Sequence, residues 1–183
     1  MADPYFSVEE ARKKKPLDDT ERFSDEDITT ARDAAEEALE HACEVAFVPR
    51  EASERLDGVG REDLLVAHPK LIEIVSASIA GEAVDVDELV AYADGRVHRP
   101  AGWGRGRGTV QIAYRHGFAT VPRRIRDAAL ELVKRALVES KIDSRATEIR
   151  TEAGVLRLAI DGLLFDIPEV NAAVRDYSFP RPA

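Results

Sequence analysis

Apolar positions repeat with a helical period in two long stretches of the chain. Over residues 24–44, Ile28, Ala31, Ala35, Ala38, Leu39 and Ala42 recur at spacings of three and four, which predicts a helix. Ser24 stands where an N-cap belongs, and Asp25, Glu26 and Asp27 load the first turn with the negative charge that the helix dipole favours. The stripe is mostly alanine, so a neighbouring element can approach closely. Residues 122–141 carry the second and stronger period. Ile125, Ala128, Ala129, Leu132, Val133, Ala136 and Leu137 share one face, and Pro122 sits at the opening position, where a missing N–H costs nothing.

Between these helices the period shortens to two. Residues 71–79 alternate after Pro69, and 80–83 form a turn. Short apolar runs follow at 84–91 and 96–99, with a turn at Asp94-Gly95, and 109–114 alternates cleanly. Closely spaced strands joined by short turns predict an antiparallel meander. Residues 45–50 read as a short apolar run ended by Pro49, and 51–63 as polar with a turn at Asp57-Gly58. At the ends, a short helix capped by Ser7 and stopped by Pro16 lies in a loosely structured arm, 1–23. A hairpin is expected over 147–160, then a short helix opened by Pro168 with Val170, Ala173 and Val174 on one face, then an extended Pro-containing tail, 178–183. The expected fold is α+β in a single domain, 1–183: long helices near 24–44 and 122–141, a β meander inserted between them, and a short C-terminal helix.

Composition narrows the class. The chain has 183 residues, 44% hydrophobic and 33% charged, enough for one core. Its single cysteine, Cys43, makes no intrachain disulfide and cannot alone supply a four-ligand zinc site. No apolar run approaches ~18 residues, and the start turns polar within ten residues and has no apolar signal-peptide core, so a soluble chain of a reducing compartment, with no leader and no membrane span, is expected.

The net charge of −9 argues against a surface that grips nucleic acid everywhere, but it hides an asymmetry. Residues 1–44 are net −8 and residues 45–94 net −7, whereas 95–126 hold eight Arg and no acid: Arg96, Arg99, Arg105, Arg107, Arg115, Arg123, Arg124 and Arg126. Arg offers a planar fork of donors that suits carboxylate or phosphate. Three readings stand side by side: pairing within the chain, heterologous packing of acidic against basic faces between copies, and a phosphate-binding surface.

Motifs for catalysis are missing from the sequence. There is no Gly-x-Ser-x-Gly turn and no Gly-Lys-Ser/Thr phosphate loop. Gly104, Gly106 and Gly108 alternate and lead into a strand, so they read as a flexible hairpin tip from which Trp103, Arg105 and Arg107 project. No two of His41, His68, His98 and His116 stand four apart on a predicted helix. His41 reads as a surface residue and Cys43 as a small buried one. The 35 acids crowd on solvated faces with no apolar pocket around any pair. No catalytic residue, metal or cofactor is expected. Trp103 admits two readings: a base-stacking ring beside phosphate-binding Arg, or an anchor in a protein interface.

The run 110–122, VQIAYRHGFATVP, followed by an Ala- and Leu-rich helix, resembles the head-tail connector (adaptor) proteins of long-tailed bacteriophages, where a strand, Tyr-x-x-Gly, Val-Pro and a helix follow in order. Other pieces resemble the family in the same order. Asp27-Ile28-Thr29-Thr30-Ala31 opens a helix running into Phe47-Val48-Pro49-Arg50, and Pro69 precedes an Ile-x-x-Val-Ser-like strand. Thr151-Glu152-Ala153-Gly154 precedes a short strand, and Ile167-Pro168-Glu169-Val170 opens a helix ending in Arg175-Asp176-Tyr177. The chain departs from the family at Phe165-Asp166-Ile167, where a glycine is common. The resemblance implies a structural virion protein, assembled in the host cytoplasm and placed in the neck. There it forms a homo-oligomeric ring, commonly dodecameric, beneath the portal protein. The ring extends the DNA channel without sequence-specific contact and docks the next neck or tail protein, a stopper or tail terminator. Catalysis, cofactor and membrane have no part in it.

A ring needs two complementary faces on each copy. The expected subunit or portal interface comprises Trp103, Arg105, Arg107, Arg123, Arg124 and Arg126, with Tyr177 and Phe179 on the docking tail. A channel for DNA avoids a sticky basic wall, which places the acids Asp33, Glu36, Glu37, Glu40 and Glu44 toward lumen or solvent. The alternative from another class is a small nucleic-acid-binding or regulatory module using the Arg–Gly loop.

Overall fold

The computed structural model of the chain describes residues 3–146, 165 and 167–178. These residues form a mixed α+β fold that divides into two compact units, where the sequence reading has one domain. Residues 45–120 form a β unit; residues 4–44 and the described residues from 121 onward form a helical unit.

The β unit has seven strands: β1 (Arg50–Val59), β2 (Asp63–Leu65), β3 (Leu71–Ile79), β4 (Glu82–Val84), β5 (Val90–Ala91), β6 (Arg96–His98) and β7 (Arg105–His116). Every pairing is antiparallel, but the order is not that of a meander. The last strand, β7, inserts between β1 and β3 to give a sheet β1-β7-β3-β4, and a smaller sheet runs β2-β6-β5. Val110, Ile112 and Tyr114 on the inward face of β7 meet Leu64, Val66, Ala77, Val97 and Trp103 in the core.

Strand β1 falls where the sequence reads as a polar loop. Its inward positions are Ala52, Glu54, Leu56 and Gly58, so the alternation of burial is real while the alternation of hydrophobicity is faint. Gly58 is fixed by close approach: a Cβ there would stand 2.8 Å from both the Trp103 carbonyl oxygen and Thr109 Oγ1.

The glycine-rich stretch is likewise strand rather than flexible tip, with β7 starting at Arg105. Gly102 and Gly104 adopt φ of +76° and +65° and turn the chain back. Trp103 between them is fully buried, and its indole N–H donates to the Val97 carbonyl at 3.1 Å.

The helical unit holds α1 (Val8–Arg12), α2 (Asp25–Cys43), α3 (Arg123–Ala146) and α4 (Pro168–Tyr177). Ser24 caps α2 through a reciprocal box, Asp27 N–H donating to Ser24 Oγ and Ser24 N–H to the Asp27 carboxylate, each at 3.1 Å. Ile28, Ala35 and Leu39 are buried on α2, Ile125, Ala128, Ala129, Val133 and Leu137 on α3, and Val170, Ala173 and Val174 on α4. Leu130 is buried too, whereas Ala136 of the expected stripe is exposed.

The N-terminal segment is packed rather than loose. Tyr5, Phe6, Ala11, Leu17 and Phe23 are all buried. Arg12 ties the segment to the start of α2, donating to the carbonyls of Leu17 (2.9 Å) and Phe23 (3.0 Å) and to the Asp25 carboxylate. Isolated large side chains without a period carry this packing, which is why periodicity alone misses it. The expected hairpin at 147–160, Phe179 and the tail beyond Ser178 lie outside the described residues.

Candidate interaction surfaces

The eight Arg of residues 95–126 separate into paired and unpaired groups. Within the β unit, Arg96 bridges Asp94 (2.8 Å) and Asp63 (3.6 Å) and lies over the Tyr92 ring; Arg115 pairs with Glu73 (2.8 Å), its register partner on β3. Arg99 reaches Glu88 at 4.0 Å. Within the helical unit, Arg123 pairs with Asp127 (3.7 Å), Arg124 with Asp176, and Arg126 with Glu10 (3.4 Å). Six of the eight therefore have acidic partners in their own chain. Several of these pairs are exposed and each adds little to stability.

Arg105 and Arg107 differ: among the described residues neither has an acidic partner. Three residues of β7, 107–109, stand opposite Asp57 alone where the β1–β7 register shifts, and Arg107 is exposed there. Asp57 is occupied by the Gly108 N–H (2.6 Å), while Arg55 Nε donates to the Gly108 carbonyl (2.7 Å). Arg55, Arg61, Arg105 and Arg107 thus fall in the half of the β1–β7 pair that ends near the exposed Val59, together with the acids Asp57 and Glu62. Arg55 and Arg107 also border a shallow cleft of about 440 Å³ with Ser78, Gly81 and Gln111.

The interface set expected from sequence is split by this geometry. Arg105 and Arg107 belong to the β unit, and Arg123, Arg124 and Arg126 to the helical unit. Trp103 leaves the set, because its ring is core; that burial also removes the stacking surface a nucleic-acid reading needs. Tyr177 is the last residue of α4 and half-buried.

The acids of α2 do not form one open face either. Glu37 and Glu44 are exposed, and Asp33 is exposed while paired with Arg32 (3.1 Å). Glu36 accepts the Tyr5 N–H (2.8 Å), and Glu40 accepts the Tyr5 hydroxyl (3.0 Å). Burial raises the Glu36 carboxyl above its ordinary range, with the Tyr5 N–H and Arg32 opposing. These two acids hold the N-terminal segment.

Sequence reasoning missed a polar cluster inside the β unit. The Tyr114 hydroxyl donates to Glu54, whose carboxylate also accepts the Ala67 N–H (3.0 Å). The imidazoles of His68 and His116 stack beside it. Glu54 sits at an inward position of β1, so its role becomes visible only once β1 is recognised as a strand. Among the described residues no group of three or more His, Cys, Asp or Glu is placed to hold a metal ion, and no helix is long and apolar enough to cross a membrane. On the helical unit a groove of about 630 Å³ has an alanine floor (Ala128, Ala172, Ala173) between mixed charges, including Lys14, Arg124 and Glu169. Its charges largely cancel, and it gathers no nucleophile with a base.

The α+β fold of this chain is shared by chains solved in gene transfer agent particles. Over 100% of its length it aligns with 97% of a chain in the neck of an empty gene transfer agent particle computed with C6 symmetry, at 16% identity and a TM-score of 0.58. It aligns equally completely with 97% of a chain in the virion of the native gene transfer agent particle, at 15% identity and a TM-score of 0.60. No protein-family model and no curated protein matches the sequence.

Proposed function

We propose that this chain is a structural subunit of a phage-type neck, forming a ring that joins the portal to the next neck or tail protein and lengthens the DNA channel. The observation that carries the reading is the likeness of fold along the whole chain to a protein of a neck computed with C6 symmetry. A six-fold neck accommodates six copies or a multiple of six, and a dodecamer satisfies it. The order of the connector-like motifs along the sequence supports the same reading independently. Its work is contact rather than chemistry. The exposed Arg105 and Arg107, which have no acidic partner among the described residues, suit a carboxylate-bearing protein surface, whereas Arg123, Arg124 and Arg126 each have an acidic partner within the helical unit.

Deletion of the gene from a producing strain, followed by electron microscopy of the particles, tests the proposal. The expected result is filled or emptied heads without attached tails, restored by supplying the chain in trans. Normally tailed particles from the deletion strain overturn it.

A further inference from the structure

We infer that the two edges of the four-stranded sheet are complementary contact surfaces, the Arg-rich β1–β7 end of one copy seating on the acidic β4 edge of the next copy of this chain. The inference rests on the ring reading above and gives it a specific contact.

Strand order sets the geometry. In β1-β7-β3-β4 the two edges lie about 14 Å apart, three spacings of ~4.8 Å. On one side, Arg55 is on the edge strand β1 and Arg61 follows it, while Arg105 and Arg107 lie on the end of β7, before Val110, that pairs with β1 alone, near Val59, which is 52% exposed. The other side is β4 and the 3-10 turn Val86–Glu88 that follows it. Residues 82–88 hold Glu82, Asp85, Asp87 and Glu88 with no cation among them, and all four acids are exposed. Beside them Val86 and Val90 are exposed, Val90 by 48%.

Each patch has an exposed apolar side chain at its centre; the Arg side also holds Asp57, whose carboxylate accepts the Gly108 N–H, and Glu62 next to Arg61, so cations outnumber acids there four to two. Among the described residues Arg105 and Arg107 have no acidic partner, and Glu82 and Asp87 have no basic one. Asp85 is used locally, accepting the Asp87 N–H at 3.0 Å, and Glu88 meets Arg99 only at 4.0 Å. The acids of α2 are weaker candidates, because Asp33, Glu36 and Glu40 already hold Arg32 or Tyr5.

Two different patches on one body make a heterologous contact, which closes into a ring when the rotation between copies divides a full turn. Four Arg facing four acids across a small apolar centre form a salt-sensitive contact. Ring closure reinforces it, since every copy is then held on both sides.

Charge exchange in the full-length chain tests the contact. Arg105→Glu with Arg107→Glu makes one variant, and Glu82→Lys with Asp87→Lys the other; none of these four side chains is buried or supports the core. Sedimentation velocity at ~0.01 M salt, where screening extends to ~30 Å, is expected to show the wild type associating and each variant alone weakened ~100-fold or more. An equimolar mixture of the two variants regains association, because every tip then meets an edge of opposite sign. Wild-type assembly is expected to dissolve at ~1 M salt.

A wild type that stays monomeric at low salt, a variant that associates as the wild type does, or a mixture that stays apart each overturns the contact. Microscopy of particles separates this from the ring reading. Necks that incorporate the Arg105→Glu, Arg107→Glu chain normally sink the edge contact and leave the neck role standing. Tailed particles without the chain, alongside a successful mixing experiment, do the reverse.

Discussion

The imidazole rings of His68 and His116 stack 4.3 Å apart and 8° from parallel in the β unit, one exposed and one buried. His116 closes β7, opposite Leu71 of β3 and Arg50 of β1. Burial, then the neighbouring His68 and Arg50, pushes its pKa from 6.5 down to about 4, with Glu54 acting weakly the other way.

Acid should therefore loosen this unit in a defined window. The unfolded chain takes up a proton on His116 near pH 6.5, and the folded chain does so only near pH 4. Between those values the unfolded state binds more protons, so stability present above pH 6.5 is lost as the pH falls through about 4. At ~1.4 kcal/mol per unit, the loss is at most about 3.5 kcal/mol. Urea melts at a series of pH values check it. His116→Gln is expected to flatten the difference curve between pH 4 and 6.5; an unchanged slope would show that other groups carry the acid sensitivity.

Gly58 and Trp103 predict a second pair of outcomes. Gly58→Ala puts a methyl 2.8 Å from a backbone oxygen and a hydroxyl, so one of them must shift, and should cost ~1–3 kcal/mol. Trp103→Ala empties the largest fully buried side chain and should cost ~3–5 kcal/mol. Calorimetry or denaturant melts measure both. If Trp103→Ala melts with the wild type yet impairs assembly, the ring is an interface anchor after all.

What could be read from the sequence followed one rule. Elements whose burial and hydrophobicity alternate together were legible. The stripes of α2 and α3 and the clean alternation of 109–114 located both helices and the centre of β7, and Ser24 marked the start of α2. Elements that bury polar or featureless residues were not. Strand β1 turns Ala52, Glu54 and Gly58 inward, and the N-terminal segment anchors itself with single aromatics bonded to α2 acids. The Arg block was visible as composition, but whether each Arg is paired depends on register and helix packing. Glu73 meets Arg115 across two strands, and Asp176 meets Arg124 from 52 residues away in sequence. The His68–His116 stack brings together residues that no spacing rule connects.

The helical unit offers a contrast between a cap and an ion pair. Ser24→Ala removes one half of the box at the start of α2 and should cost about 1 kcal/mol. Arg124→Ala breaks an exposed pair with Asp176 and should cost only ~0–1 kcal/mol. Thermal melts of the two variants test the ranking, and the reverse order would mean that α4 depends on the Arg124 bridge for its docking.

Cys43 reports when the helical unit opens. Its side chain is fully buried near the C-terminus of α2, with Sγ 3.8 Å from the Val174 carbonyl oxygen on α4. Burial pushes the thiol up to about 11, against a weaker pull from Ser178. Thiolate is the reactive form, so the folded chain presents almost none at pH 8 and shields what it has. A disulfide reagent should therefore leave the native protein unmodified over hours and titrate one thiol per chain at once in denaturant. Intermediate denaturant concentrations should give a labelling rate that tracks the loss of helical circular dichroism. Fast labelling of the native chain would instead mean that α4 detaches from α2 without global unfolding, exposing Cys43 in a locally open state.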